Sequence, residues 1–305
     1  MNNAALYLTT VAIWGSTWLA IRYQLGSVAP ELSVAYRLVL ASLILFAYSK
    51  IRRLPLRFNR RAHLSIAIQA LFLYSLNYFA IYMAEAYLPS GLVAITFSTI
   101  LFLNVIFGAL ILRISVRPYV LLGGMLGMAG LALVFWPQLQ SSDFSGGART
   151  GLLLALLGTT LASLGNIASA RNQKVGLPVV QTNAFGMLYG AIIMFMLSLL
   201  RGTSLEFDSS SSYLLSLVYL ALFGSVIGFG AYLTLLGRIG SDRAAYVTVL
   251  FPIVALALST AFEDLRWSPI QLAGVGLALV GNLFVLGRIR RPRLRRLQSA
   301  PSAAD

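Results

Sequence analysis

Cysteine is absent from all 305 residues, which excludes disulfides, thiolate metal sites and cysteine nucleophiles. Histidine occurs once, as His63, so a histidine metal cluster or a Ser/His pair at bilayer depth has nothing to build from. Charge is also scarce. Only 10% of the residues are charged against 58% hydrophobic, and the mean hydropathy is +0.82. A soluble protein of this length needs far more polar surface than that. The acids are the fewest, and Asp143, Glu206, Asp208, Glu263 and Asp264 all fall between apolar stretches. A proton relay through a membrane midplane therefore lacks a carrier, with Glu85 as the one exception. Facilitated, gradient-driven movement is the expectation.

What the chain does have is long apolar runs. A bilayer-spanning helix needs roughly 20 mostly apolar residues. Ten such stretches are expected at 4–24, 30–50, 62–84, 88–111, 118–136, 150–170, 178–200, 212–236, 243–262 and 269–287. The fold class is all-α integral membrane, and the short loops leave no room for a soluble catalytic domain. The first run is longer than a signal-peptide core and lacks a convincing cleavage site, so it reads as a retained helix.

The net charge of +14 would suggest nucleic acid in a soluble protein, but its placement argues for topology instead, with no nucleic-acid partner. With the N-terminus cytoplasmic, Lys50, Arg52, Arg53, Arg57, Arg60 and Arg61 lie inside, as do Arg288, Arg290, Arg291, Arg293, Arg295 and Arg296 of the tail. Arg113, Arg117, Arg171, Lys174, Arg238 and Arg243 join them, against Arg22, Arg149, Arg201 and Arg266 outside. The positive-inside rule then predicts two cytoplasmic termini. The basic tail is a topology signal or a contact for anionic lipid headgroups.

Shifting the chain by about 150 residues brings landmarks into coincidence. Gly15 falls on Gly165, Pro30 on Pro178, Thr96 on Thr248, Gly123 on Gly274 and Gly130 on Gly281. Two five-helix units are the simplest explanation, residues 1–140 and 141–287, followed by a basic cytoplasmic tail at 288–305. Because five is odd, the second unit must lie upside down relative to the first. Inverted repeats around a central cavity are the hallmark of secondary transporters, which bind a small molecule near the midplane. Each unit is complete in itself, so a monomer can be functional.

Particular residues carry a family resemblance. Trp14-Gly15-Ser16-Thr17-Trp18, followed by Ala35-Tyr36-Arg37-Leu38-Val39-Leu40-Ala41, resembles the start of an EamA-type domain. Pro252, Glu263, Gln271-Leu272-Ala273-Gly274 and Gly281-Asn282 fit the same family. The resemblance covers about residues 5–287 and implies the drug/metabolite transporter superfamily, whose ten-helix members include YddG-type amino-acid exporters. It implies a multi-pass protein of a bacterial-type inner (plasma) membrane that exports amino acids, with another small amphipathic metabolite or drug as the alternative. Two departures stand out: Ile100 takes the place where Pro252 predicts a proline, and Leu112-Arg113 the place of Glu263-Asp264.

Polar stripes then mark faces that should avoid lipid. Tyr74, Asn77, Tyr78, Tyr82 and Glu85 recur at helical spacing on the third stretch. Tyr7, Thr10, Trp14, Thr17 and Trp18 do so on the first, Thr159, Ser163 and Asn166 on the sixth, and Ser225, Phe229 and Tyr232 on the eighth. They either surround one cavity or join helices by hydrogen bonds. Aromatic walls accept apolar side chains or ammonium groups, and Asn77 and Asn166 offer both donors and acceptors. Such a wall suits an amino acid, aromatic or otherwise neutral.

Arg37 lies about seven residues, roughly 10 Å, inside the second helix. It either binds a substrate carboxylate or forms a structural ion pair with Glu85. Pro252 breaks a helical hydrogen bond and is a candidate hinge. Gly224 with Gly228, Gly186 with Gly190 and Gly123 with Gly127 offer close helix contacts for sliding or for static packing. No cofactor or metal is expected. An intramembrane enzyme would need paired acids or a metal cluster, and a channel would need a filter loop or a ring of like residues. Neither pattern is visible.

Overall fold

The computed structural model describes residues 2–26, 28–113, 118–137, 147–239, 247–264 and 266–287. The expectations that rest on Arg117, Asp143, Arg243 and the basic tail lie outside the described residues. Those residues are helical throughout their regular structure, with no strand among them. The helices are α1 (Asn3–Arg22), α2 (Pro30–Ile51), α3 (Arg60–Glu85) and α4 (Ser90–Phe97 and Ile100–Leu112). They continue as α5 (Pro118–Val134), α6 (Gly147–Lys174), α7 (Val179–Leu200), α8 (211–239), α9 (Val247–Phe262) and α10 (Pro269–Gly287).

Among the described residues, seven helices are long and apolar enough to cross a membrane, and three further apolar stretches within α5, α9 and α10 are shorter. The expected boundaries hold to within a few residues, apart from the start of the ninth stretch, which lies outside the described residues. Local chemistry explains several starts. Asn2 and Asn59 accept backbone N–H bonds of 2.8 Å from Ala5 and Ala62 at the heads of α1 and α3. Pro30, Pro118 and Pro269 open α2, α5 and α10, where the missing N–H costs nothing. Large aliphatic side chains such as Leu43, Leu153, Met196 and Leu215 point outward and exposed, as a surface facing lipid requires.

Three irregularities were not foreseen. The middle of α3 (Leu71–Leu76) and the middle of α8 (Leu220–Ile227) are wound as π-helix. Within the first, the Ser75 hydroxyl donates to the Ala70 carbonyl and Asn77 Nδ2 to the Leu73 carbonyl, so side chains occupy carbonyls that widened turns leave free. The third is in α4. Although Ile100 stands where a proline was expected, the helix breaks at Ser98–Thr99. There Thr96, Ser98 and Thr99 turn their hydroxyls back onto carbonyls three or four residues earlier, at 2.6–2.9 Å. Hydroxyl back-bonding bends helices, whereas Pro252 lies inside an α9 that runs unbroken from Val247 to Phe262.

The irregularities come in pairs. Six described residues have φ in the left-handed region: Gly26 with Gly176, Arg53 with Gly202, and Arg113 with Asp264. Each pair is separated by about 150 residues, as are the two π-helical segments. The packing is paired as well: α3 lies on α6 and α1 on α8, while α4 lies on α6 and α1 on α9. α2 packs along α7, and α5 along α10. In the α5–α10 contact backbone meets backbone. A Cβ at Gly130 would sit 2.4 Å from the Ala278 nitrogen, and one at Gly281 2.6 Å from the Gly123 carbonyl oxygen, so only glycine permits that approach.

Candidate functional site

Where α1, α3, α6 and α8 meet, a cavity of about 110 Å³ remains open. For scale, an engineered apolar cavity of about 150 Å³ holds benzene. Trp14, Thr17 and Trp18 enter it from α1, Asn77, Tyr78 and Tyr82 from α3, Asn166 from α6, and Gly224, Phe229 and Tyr232 from α8. Helices that the polar stripes did not mark also contribute. Arg37 comes from α2, Phe97 and Ile100 from α4, Thr248 and Phe251 from α9, and Ile21, Leu73, Ile81 and Ala162 complete the wall. Apolar residues of this kind carry no signal that separates a cavity wall from a lipid-facing or core position.

The walls are ring-rich and mutually braced. Trp14 sits edge-on to Phe229 at 5.2 Å and tilted against Tyr232 at 4.9 Å. Its indole N–H donates to the Gly224 carbonyl at 3.4 Å. Trp18 stacks on Phe251 at 5.8 Å and meets Phe97 edge-on at 5.2 Å. Such geometries suit the ring quadrupoles. They also hold α1 against α4, α8 and α9 through side chains that face the cavity.

Four expected site residues lie elsewhere. Tyr74 is fully buried behind the wall, where its hydroxyl donates to Asn183 Oδ1 at 2.7 Å and accepts from Gln69 Nε2 at 3.4 Å. Asn172 Nδ2 in turn donates to Gln69 Oε1 at 2.8 Å. Tyr74 therefore belongs to a polar network joining α3, α6 and α7. It lies inside the π-helical segment, whose wider turn takes it out of register with Tyr78 and Tyr82. Ser163 also stands behind the wall and donates to Asn104 Oδ1 at 2.8 Å. Asn104, which sequence reasoning passed over within an apolar run, also accepts from Asn166 at 3.5 Å. Gly228 is covered by the Trp14 indole, whose nitrogen would lie 2.6 Å from an added Cβ, and Pro252 lies within α9 next to the cavity residue Phe251.

The expected Arg37–Glu85 ion pair does not form, and this is a correction. Arg37 Nε donates to Ser225 Oγ at 3.1 Å, Nη1 to the Tyr82 hydroxyl at 3.4 Å and Nη2 to the Tyr78 hydroxyl at 3.5 Å. Its guanidinium carbon also stands 4.4 Å from the Tyr78 ring centre, a cation–π contact. Tyrosine hydroxyls thus occupy the donors a carboxylate was expected to take. Glu85 is fully buried, and neither carboxylate oxygen has a hydrogen-bond partner. Ion pairs form instead between Arg22 and Glu263 at 3.1 Å and between Arg201 and Glu31 at 3.5 Å. No group of His, Asp and Glu side chains among the described residues is arranged to hold a metal.

Comparison with known proteins agrees with this architecture. Residues 2–136 and 149–287 each match the EamA-like transporter family. The inner membrane transporter YedA of Escherichia coli strain K12 is 29% identical over 293 residues, spanning 94% of this chain and 90% of that protein. A probable amino-acid metabolite efflux pump of the same strain is 25% identical over 296 residues, covering 93% and 96%. Its Salmonella typhimurium counterpart is 26% identical over 301 residues, covering 95% and 97%. A crystal structure at 19% identity superposes with a TM-score of 0.69 over 95% of this chain and 99% of the other, which speaks for the fold alone. Family and relatives are transporters rather than enzymes, and several apolar helices fit a multi-pass inner membrane protein. Two matches that together cover most of the chain put it in the EamA-like transporter family of the drug/metabolite transporter superfamily.

Proposed function

We propose that this chain exports neutral amino acids, aromatic or other, by alternating access through the central cavity. The observation that carries the reading is the cavity wall itself. Trp14, Trp18, Tyr78, Phe229 and Tyr232 offer aromatic faces, Asn77 and Asn166 offer amides, and no acid lines it among the described residues. Such a wall accepts a small amphipathic solute and offers a cationic drug no countercharge. A relative named as a probable amino-acid metabolite efflux pump points the same way. Another small amphipathic metabolite is the alternative.

In this reading, residues 1–140 and 141–287 are two inverted five-helix units, and 288–305 is a cytoplasmic tail that shares its side of the membrane with the N-terminus. The paired left-handed residues, the paired π-helical segments and the paired helix contacts support it. The π-helical segments of α3 and α8 flank the cavity, with Leu73 on one and Gly224 on the other. Together with the break in α4 and Pro252 in α9, they are the bends at which one unit rocks against the other.

Purified protein in proteoliposomes, with no proton gradient imposed, tests the function. Labelled threonine, methionine and phenylalanine are expected to enter saturably, and the unlabelled amino acid to compete. No uptake of any of them, with or without a gradient, would sink the amino-acid reading.

A further inference from the structure

Arg37 is the one formal charge on the cavity wall among the described residues, and no carboxylate among them hydrogen-bonds to it. The Arg37 residue is 5% exposed, and the hydrogen-bond partners of its guanidinium are neutral hydroxyls, from Ser225, Tyr78 and Tyr82. No carboxylate lies within ion-pairing distance of it among the described residues. Hydroxyls orient a guanidinium but supply no countercharge, and a buried cation without one is costly. Three of its five N–H groups are occupied. Beside it, Gly224 keeps the approach clear, since a Cβ there would come within 3.1 Å of Nη2.

The opposite charge on an amino acid meets something different. No acid lines the cavity among the described residues. Asn77, however, is a wall residue whose side-chain oxygen is buried and has no hydrogen-bond partner. That oxygen accepts an N–H without contributing a formal charge, and the aromatic faces add cation–π attraction.

From this asymmetry we infer that the cavity reads its substrate chiefly by the carboxylate, held on Arg37, while the amino group is read only by the neutral Asn77 oxygen and the rings. This rests on the amino-acid reading above and deepens it: the ligand class is an amphipathic monocarboxylate, of which neutral amino acids are one kind. Removing the carboxylate deletes an ion pair with the buried Arg37 guanidinium, whereas removing the amino group deletes a hydrogen bond to a neutral amide oxygen. The two deletions must therefore have unequal effects.

Four compounds separate them: phenylalanine, 3-phenylpropionate (no amino group), phenethylamine (no carboxylate) and phenylalanine methyl ester (amino group kept, carboxylate masked). In competition against labelled phenylalanine, 3-phenylpropionate is expected within about tenfold of phenylalanine, and the amine and ester to need at least about 100-fold more. Equal competition by amine and carboxylate would overturn the inference. The same four ligands are also scored by thermal stabilisation of the purified protein, which does not depend on transport. If labelled phenylalanine does not enter vesicles, the function proposal fails. Stabilisation by the two free carboxylates alone still supports the Arg37 assignment, and an absence of preference among the four still refutes it. Arg37→Gln is expected to erase the preference. Arg37→Lys, which keeps the charge but loses the planar fork, is expected to keep it in weakened form.

Discussion

Transport is expected to fall by at least about 100-fold when Gly224 is replaced by valine, a loss of roughly 2.7 kcal/mol of productive binding. Gly224 lies in the π-helical segment of α8, where three parts of the cavity wall converge on it. A Cβ there would stand 2.9 Å from Thr17 Cγ2 and 3.1 Å from Arg37 Nη2. The Gly224 carbonyl also receives the Trp14 indole N–H. Valine therefore fills part of a cavity of only about 110 Å³ and pushes the guanidinium off its hydroxyl partners. Proteoliposome uptake measures the loss, and size-exclusion behaviour with thermal unfolding checks that the variant is folded. Uptake equal to wild type in a folded Gly224→Val protein would mean that the substrate passes elsewhere.

The largest expected effect on stability comes from Glu263→Ala. Glu263 follows α9, and its carboxylate reaches across to the head of α4. The Ser90 backbone N–H donates to its two oxygens at 3.2 and 3.1 Å, and the Ser90 hydroxyl donates to Oε2. Arg22, at the end of α1, pairs with it at 3.1 Å and donates to the Glu85 carbonyl as well. One carboxylate thus ties α1, α3, α4 and α9 together. The Arg22 side chain is 41% exposed, so the ion pair itself contributes little. The charge-assisted bonds at a helix N-terminus contribute more. Roughly 2–3 kcal/mol of stability should be lost in Glu263→Ala and about half of that in Glu263→Gln, which keeps an acceptor but no charge. Unfolding in detergent checks this, and an alanine variant as stable as wild type would show the contacts to be idle.

The long spans were legible because hydropathy sums over some 20 residues, and no single substitution blurs it. The site was legible where aromatic and amide residues interrupt an apolar helix, as at Trp14, Asn77, Tyr78 and Tyr232. It was illegible where the wall is aliphatic or phenyl, as at Leu73, Ile81, Phe97 and Phe251, because those residues also read as core. A π-helical turn leaves no periodic mark in the sequence, so the departure of Tyr74 from its stripe was invisible. The partners of Arg37 were hidden for a different reason. Ser225 comes from the other half of the chain, and only the packed structure shows that hydroxyls, rather than Glu85, occupy the guanidinium. The break at Ser98–Thr99 was missed because proline was the signal sought, whereas hydroxyl residues produce the bend.

A chain without cysteine is ready for single-cysteine labelling, and Thr248 on the cavity wall is the place for it. The direct measurement is the rate at which a small thiol reagent modifies Thr248→Cys, with and without saturating phenylalanine. A control cysteine replaces the exposed Leu205. Phenylalanine bound in the cavity should slow modification at position 248 severalfold and leave position 205 unchanged. A rate at position 248 that no transported amino acid alters would contradict a substrate site in this cavity.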